Sequence, residues 1–267
     1  MRRRFLKAAY EGAGLVGHRL GLDEWEGRNH DAVLMYHSVR APDRLREGTS
    51  DISVETFRRH LRYLTERFEV VDLSKLTMSA PNRKRIALTF DDGYRDFYTN
   101  VRPILREFDV PATVFVITDL LDDAAPRTQV MNTGHLFETL TGDQVRDLAD
   151  DPRVTVGNHT RTHHDLGTHE RRDIIEDEIL GAQRDLKERF GIDADRFSYP
   201  NGRYNPTSTA VVRGSHTIAT VAESHRPLLE EEDPALLPRV DGGLPFEQIK
   251  WRLSDLNGEL VARAEFA

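Results

Sequence analysis

Asp91 and Asp92 stand side by side where the apolar run Ile86–Phe90 delivers the chain onto "DDG". Adjacent carboxylates repel, and burying either one unpaired is costly, so a strand that ends this way asks for a positive partner. Farther along, "HTRTHH" sets His159 and His163 at a His-x-x-x-His spacing, again after a β-type run, "RVTVGN". That spacing lets two imidazoles converge on one ion as neutral nitrogen donors, suited to zinc, iron, cobalt or nickel. Each cluster has an ordinary alternative: "DDG" as a turn with a helix N-cap, the histidines as solvated loop residues. Their common position after strands favours a site of two histidines and one carboxylate. Asp92 is then the expected metal ligand. Asp91, held off the ion, is the expected base for a metal-bound water. Three protein ligands leave coordination positions open for water and substrate.

Composition narrows the chemistry further. The 267 residues include no cysteine, which excludes disulfides, thiolate metal sites and a cysteine nucleophile. An apolar content of 38% with 31% charged residues describes a globular chain, long enough for one large α/β domain or two small ones. A net charge of -8 argues against nucleic acid as a partner. The start, "MRRRFLKAAYEGAGLVGHRLGL", is basic, but Lys7, Glu11 and His18 interrupt its apolar part and spoil a secretory h-region. Residues 1–30 are therefore expected to form an N-terminal helical extension. The chain reads as cytoplasmic, with peripheral membrane contact through that helix as the alternative.

The elements that must position these residues alternate β and α. Strand-like runs fall at Ala32–Val39, Glu69–Leu73, Arg85–Phe90, Pro111–Thr118 and Arg153–Thr160, then around Phe197, Ile218 and Leu237. Between them, Ser53 is a plausible N-cap for a helix with Phe57, Leu61, Leu64 and Phe68 on one face. Tyr94–Phe108 is helical in character, with Pro103 as an interruption. Thr141 and Gln144 form a capping-box pattern, Glu170–Phe190 spells the longest helix, and Pro245–Leu256 the last. Repeated β-then-α order implies parallel strands with helical crossovers, as a barrel or a doubly wound sheet. In either, ligands sit at the C-terminal ends of strands, where the two clusters fall.

"TFDDG" (Thr89–Gly93), "HTRTH" (His159–His163) and "RFSYPNG" (Arg196–Gly202) resemble, in order and spacing, the first three motifs of the NodB-homology polysaccharide deacetylases, carbohydrate esterase family four. The similarity runs over residues 83–240. It implies an α/β fold, a distorted (β/α) barrel occupying residues 31–267, and metal-dependent removal of N-acetyl groups from a saccharide, polysaccharide or glycolipid. It implies Asp91 as catalytic base and Asp92, His159 and His163 as ligands of one divalent ion, Zn2+ first, with Co2+, Ni2+ or Fe2+ as alternatives. The backbone N–H of Asn201 would serve an oxyanion hole. Tyr199 and Pro200, in the same motif, are expected at the substrate. The upstream "VLMYHSV" resembles the subgroup acting on exopolysaccharides.

Two departures from the family pattern direct attention to other residues. Arg196 stands one residue too early to align the base, which leaves Arg239, in "LLPRV", as the substitute. The late leucine-x-histidine motif that supplies a general acid is missing, and His216 and His225 do not fit it. His37, in "MYHSV", ends a strand-like run that would face the same mouth, and it is the candidate proton donor to the leaving amine. Other classes share parts of this pattern: an iron(II) oxygenase with two histidines and a carboxylate, an amide hydrolase on a non-carbohydrate substrate, and an inactive glycan-binding relative.

Overall fold

The β-type runs become parallel strands in a computed structural model that describes residues 30–77, 84–121, 127–130, 136–168, 171–223, 226–228 and 232–265. Seven of them form a ring: β1 Ala32–Tyr36, β2 Arg85–Phe90, β3 Ala112–Val116, β4 Val154–Asn158, β5 Arg196–Ser198, β6 Ile218–Glu223 and β7 Leu237–Asp241. Neighbours pair in chain order, and β7 closes on β1 with Leu34 opposite Val240. A short strand, Glu69–Val70, pairs with the start of β2 beside the ring. The fold is the distorted (β/α) barrel that the motif resemblance implies.

Period-two alternation sorts the strand residues between two cores. Leu34, Tyr36, Leu88, Phe90, Val114 and Val156 point outward and pack with Phe57, Leu61 and Leu64 of the helix Val54–Arg67. Val33, Ala87, Phe115, Ile218 and Leu237 point inward and plug the lower barrel. Filling the interior this way leaves only the upper rim for chemistry.

Local signals place the helices. The Ser53 hydroxyl accepts the Thr56 N–H at 3.0 Å, and Thr141 with Gln144 completes a capping box before Gly142–Ala149. Pro103 does not break its helix. A π-helical turn at Phe97–Val101 runs directly into Arg102–Phe108. The widened turn relieves the clash and the missing donor that a proline imposes on an α-helical ladder. The longest helix, residues 172–190, carries a similar π turn at Asp177–Gly181. The last helix is two, Phe246–Arg252 and Asp255–Glu265, separated where the Ser254 hydroxyl accepts the Asn257 N–H at 3.2 Å. The expected extension over residues 1–30 lies, apart from His30, outside the described residues, as does His225. Among the described residues no helix is long and apolar enough to cross a membrane.

Candidate active site

The strand registers bring the polar clusters to one rim. Tyr36 pairs with Phe90, and the Asp91 N–H donates to the Tyr36 carbonyl at 2.9 Å, so His37 and Asp91 leave adjacent strands at the same level. Val116 pairs with Asn158, and the His159 N–H donates to the Val116 carbonyl at 3.0 Å. Asn158 in turn pairs with Phe197, which sets Ser198 beside His159.

Asp92, His159 and His163 offer donor atoms that all lie within 4.8 Å of one another. Each imidazole Nε2 is 3.4 Å from Asp92 Oδ1. On its other side, His159 Nδ1 is 2.8 Å from the Ser198 carbonyl. A carbonyl can only accept, so Nδ1 carries the hydrogen, which leaves Nε2 facing the centre of the cluster, as a lone pair whenever the ring is neutral. One carboxylate and two imidazoles aimed at a common point fit a divalent ion of the zinc, cobalt, nickel or iron(II) type.

The electrostatics agree with that fit. Burial pushes the Asp92 carboxyl up, but the His159 hydrogen bond and the fields of His37 and His163 hold it well below the usual carboxylate range. Burial pushes His159 down, yet Asp91 and Asp92 together raise it above the ordinary imidazole value. His163 is lowered, first by burial and then by His159. The cluster thus attracts one positive charge and resists a second.

Asp91 faces a different partner. Arg239, fully enclosed, donates Nη1 to Asp91 Oδ1 at 2.8 Å and Nη2 to Oδ2 at 2.7 Å. Burial raises the Asp91 carboxyl, and the Arg239 guanidinium, followed by His159, outweighs it and keeps the group ionised. Arg239 is itself fixed by Nε donating to the Val221 carbonyl at 2.8 Å, and by contacts with Thr89 Oγ1 at 3.2 Å and Ser198 Oγ at 3.0 Å. Arg196 goes elsewhere: it pairs with Asp72 at 2.7 Å and with Asp195, remote from Asp91. Thr89 and Ser198 were not singled out by motif reasoning. Alternation does carry a signal for Thr89, which precedes Asp91 by two positions and so shares its face.

The remaining candidates divide. Part-buried His37 has an Nδ1 that is buried without a hydrogen-bond partner. Asn201 has φ 54°, inside a turn closed by the Gly202 N–H to the Tyr199 carbonyl at 2.8 Å and the Arg203 N–H to the Pro200 carbonyl at 3.1 Å. That turn does not use the Asn201 N–H. Tyr199, expected at the substrate, is 0% exposed. Two positions from Phe197, it shares that residue's outward face, and its ring packs edge-on against Phe197 in the cluster with Leu166 and Ile175. Pro200 is buried as well. Strain concentrates at this rim: Asp92, Thr160, His163 and Asn201 all have φ between 54° and 71°. Non-glycine residues in that region persist where the surroundings over-determine them, often at functional sites.

The structure is thus a parallel barrel whose C-terminal rim carries two histidines and a carboxylate able to hold a metal ion, beside an arginine-paired aspartate. The sequence profile of the polysaccharide deacetylases matches residues 79–218, just over half of the chain, and the chain belongs to that family. It is 25% identical over 181 residues to Bacillus subtilis YxkH, named for polysaccharide deacetylation, covering 65% of this chain and 57% of that protein. It is 32% identical over 141 residues to a chitooligosaccharide deacetylase of Rhizobium leguminosarum bv. phaseoli, covering 52% of this chain and 53% of that protein. The matched regions thus span little more than half the length of either relative. The structure of IcaB from Ammonifex degensii superposes with a TM-score of 0.69 at 21% identity, covering 85% of this chain and 98% of that one. At that identity the likeness concerns the fold.

Proposed function

We propose that this protein is a divalent-metal-dependent hydrolase that removes N-acetyl groups from a hexosamine-containing saccharide. The observation that carries the reading is the convergence of Asp92, His159 and His163 next to the buried Asp91–Arg239 pair. The chitooligosaccharide named for the Rhizobium relative supports an acetamido sugar as the substrate class. An ion held by Asp92, His159 and His163, Zn2+ in the first instance, supplies Lewis acidity to the acetamide carbonyl and to the attacking water.

The chain's own groups do the rest. Asp91 accepts the proton of the attacking water, and Arg239 keeps its carboxylate ionised and oriented. The Asn201 N–H shares the charge that develops on the carbonyl oxygen, a contribution of about 10²–10³ in rate where such donors have been removed elsewhere. His37 delivers a proton to the departing nitrogen, because an amine anion is a very poor leaving group. A pair of substrates tests the assignment: an N-acetylated oligosaccharide and an activated acetate ester, with acetate release as the readout. Wild type should cleave both and Asp91→Asn neither. His37→Gln should lose the acetamide far more than the ester, whose leaving group needs little protonation. Equal loss on both substrates would remove His37 as the donor, and no acetate from any acetamido sugar would sink the function.

A further inference from the structure

Between the two histidines the chain runs through Thr160 at φ 68° and His163 at φ 62°, both in the left-handed region. A non-glycine residue there is strained and persists only when its surroundings hold it. Local bonds account for part of the hold. The Thr160 N–H donates to Asn158 Oδ1 at 2.8 Å, and the His163 N–H donates to Thr160 Oγ1 at 3.0 Å. Of the intervening residues, Arg161 has its carbonyl held by the Asp119 N–H at 3.0 Å, and one side chain from outside the loop reaches the backbone N–H groups of both Arg161 and Thr162.

That side chain is Glu178. Its Oε2 accepts the Arg161 N–H at 3.1 Å and the Thr162 N–H at 2.9 Å, while Oε1 accepts the Thr162 hydroxyl at 2.6 Å. Its backbone carbonyl also receives the Arg161 N–H at 3.1 Å. Glu178 is 7% exposed, so its charge is largely out of water. The Arg161 guanidinium beside it turns instead to Asp119, Asp177 and Asp185. The Glu178 carboxylate is therefore satisfied by loop N–H groups and a hydroxyl. Two features of the helix bring it there. Glu178 sits in the π turn Asp177–Gly181, whose extra residue shifts the helix surface, and such turns recur at functional sites. Gly181 in the same turn lets the loop lie close: a Cβ there would meet Arg161 Cδ at 2.7 Å.

We infer that Glu178 is a positioning residue for the metal ligand His163, an inference that rests on the metal-site reading above. It holds two of the three residues that separate the histidine ligands, and so fixes where the His163 imidazole meets Asp92. The hold comes from acceptor geometry. An isosteric amide reproduces it, with the Gln oxygen accepting both N–H groups and its amide nitrogen donating to the Thr162 hydroxyl.

The test is the affinity of the full chain for Zn2+ alone, measured by competition with a chelator at a temperature where circular dichroism shows every variant folded. Glu178→Ala should weaken Zn2+ binding by about 10–100-fold, the usual cost of losing an outer-shell partner, and Glu178→Gln should stay within about threefold of wild type. Wild-type affinity in folded Glu178→Ala overturns the inference. A Gln variant as weak as Ala overturns it too, because charge and not geometry would then be responsible. Should the Ala variant fail to fold, Thr162→Val decides: it removes only the hydroxyl bond, several-fold weakening supports the inference, and unchanged affinity overturns it. If the wild-type chain binds no Zn2+, the metal-site reading falls first and this inference with it. If wild type binds and the Glu178 variants match it, only this inference falls.

Discussion

Arg239 is 1% exposed and gives both Nη atoms to Asp91, so replacing it leaves a buried carboxylate without its counter-charge. Breaking such a pair costs about 3–5 kcal/mol, whereas the intact pair need contribute little net stability. Arg239→Met should therefore lower the denaturant midpoint clearly. It should also move the acid limb of the pH–rate profile to higher pH, because burial raises Asp91 and the guanidinium is the largest influence opposing it. An unmoved acid limb in a folded variant would show that Arg239 does not set the ionisation of the base. At this scale the sequence was uneven in what it disclosed. Asp91, Asp92 and His159 are legible because each lies next to the strand end that carries it, and His163 because its spacing from His159 lets the two rings converge. Arg239 reaches Asp91 across 148 positions, and only the misplacement of Arg196 pointed to it. Ser198 acts on His159 through a backbone carbonyl, which no residue type can signal.

The turn after β5 makes its contribution through backbone shape. Asn201 at φ 54° and Gly202 at φ 63° form it, and a Cβ on Gly202 would come within 2.0 Å of Ala222 Cβ. Asn201→Gly keeps both the left-handed conformation and the N–H, so acetate release should stay near wild type. Gly202→Ala should displace the turn and lower activity sharply, with a stability loss of at least about 1–3 kcal/mol. Full activity in folded Gly202→Ala would take the Asn201 N–H out of the reaction. Alternation and capping made the elements legible: Ser53, Thr141 and Gln144 cap where they were expected to. The π turns were not legible, because widening a turn by one residue leaves the apolar spacing nearly intact. Nor was the outward ring of Tyr199, since motif membership says nothing about which face a side chain takes.

Over the whole molecule, buried histidines tie stability to pH. Burial pushes His60 and His216 down to about 4, so below their unfolded value of about 6.5 the unfolded chain binds more protons and stability falls. Asp96, pushed up to about 6 by burial, works the other way: the native state gains protons first, and stability rises as pH falls through that value. Asp72, also pushed up by burial, is held down at about 2 by Ser74 and Arg196, and its contribution is lost only below about pH 4. Each histidine adds up to about 1.4 kcal/mol per pH unit between the two states' values. Urea midpoints should therefore drop between pH 6.5 and pH 4 more steeply in wild type than in a His60→Gln, His216→Gln double variant. Parallel curves would mean that these two histidines are not buried neutral. The barrel itself was legible from β-then-α order and three motifs, but its closure rests on the β1–β7 pairing of distant segments, which local patterns do not encode.

One divalent ion on Asp92, His159 and His163 should be required for deacetylation. Titrating Zn2+ into metal-stripped protein while recording acetate release from an N-acetylated chitooligosaccharide checks this requirement. The rate should climb in proportion to bound metal and level off at about one ion per chain, with Asp92→Ala and His163→Ala showing neither binding nor acetate. Undiminished acetate release from fully stripped protein, or none at full occupancy, would rule out a metal requirement at these three residues.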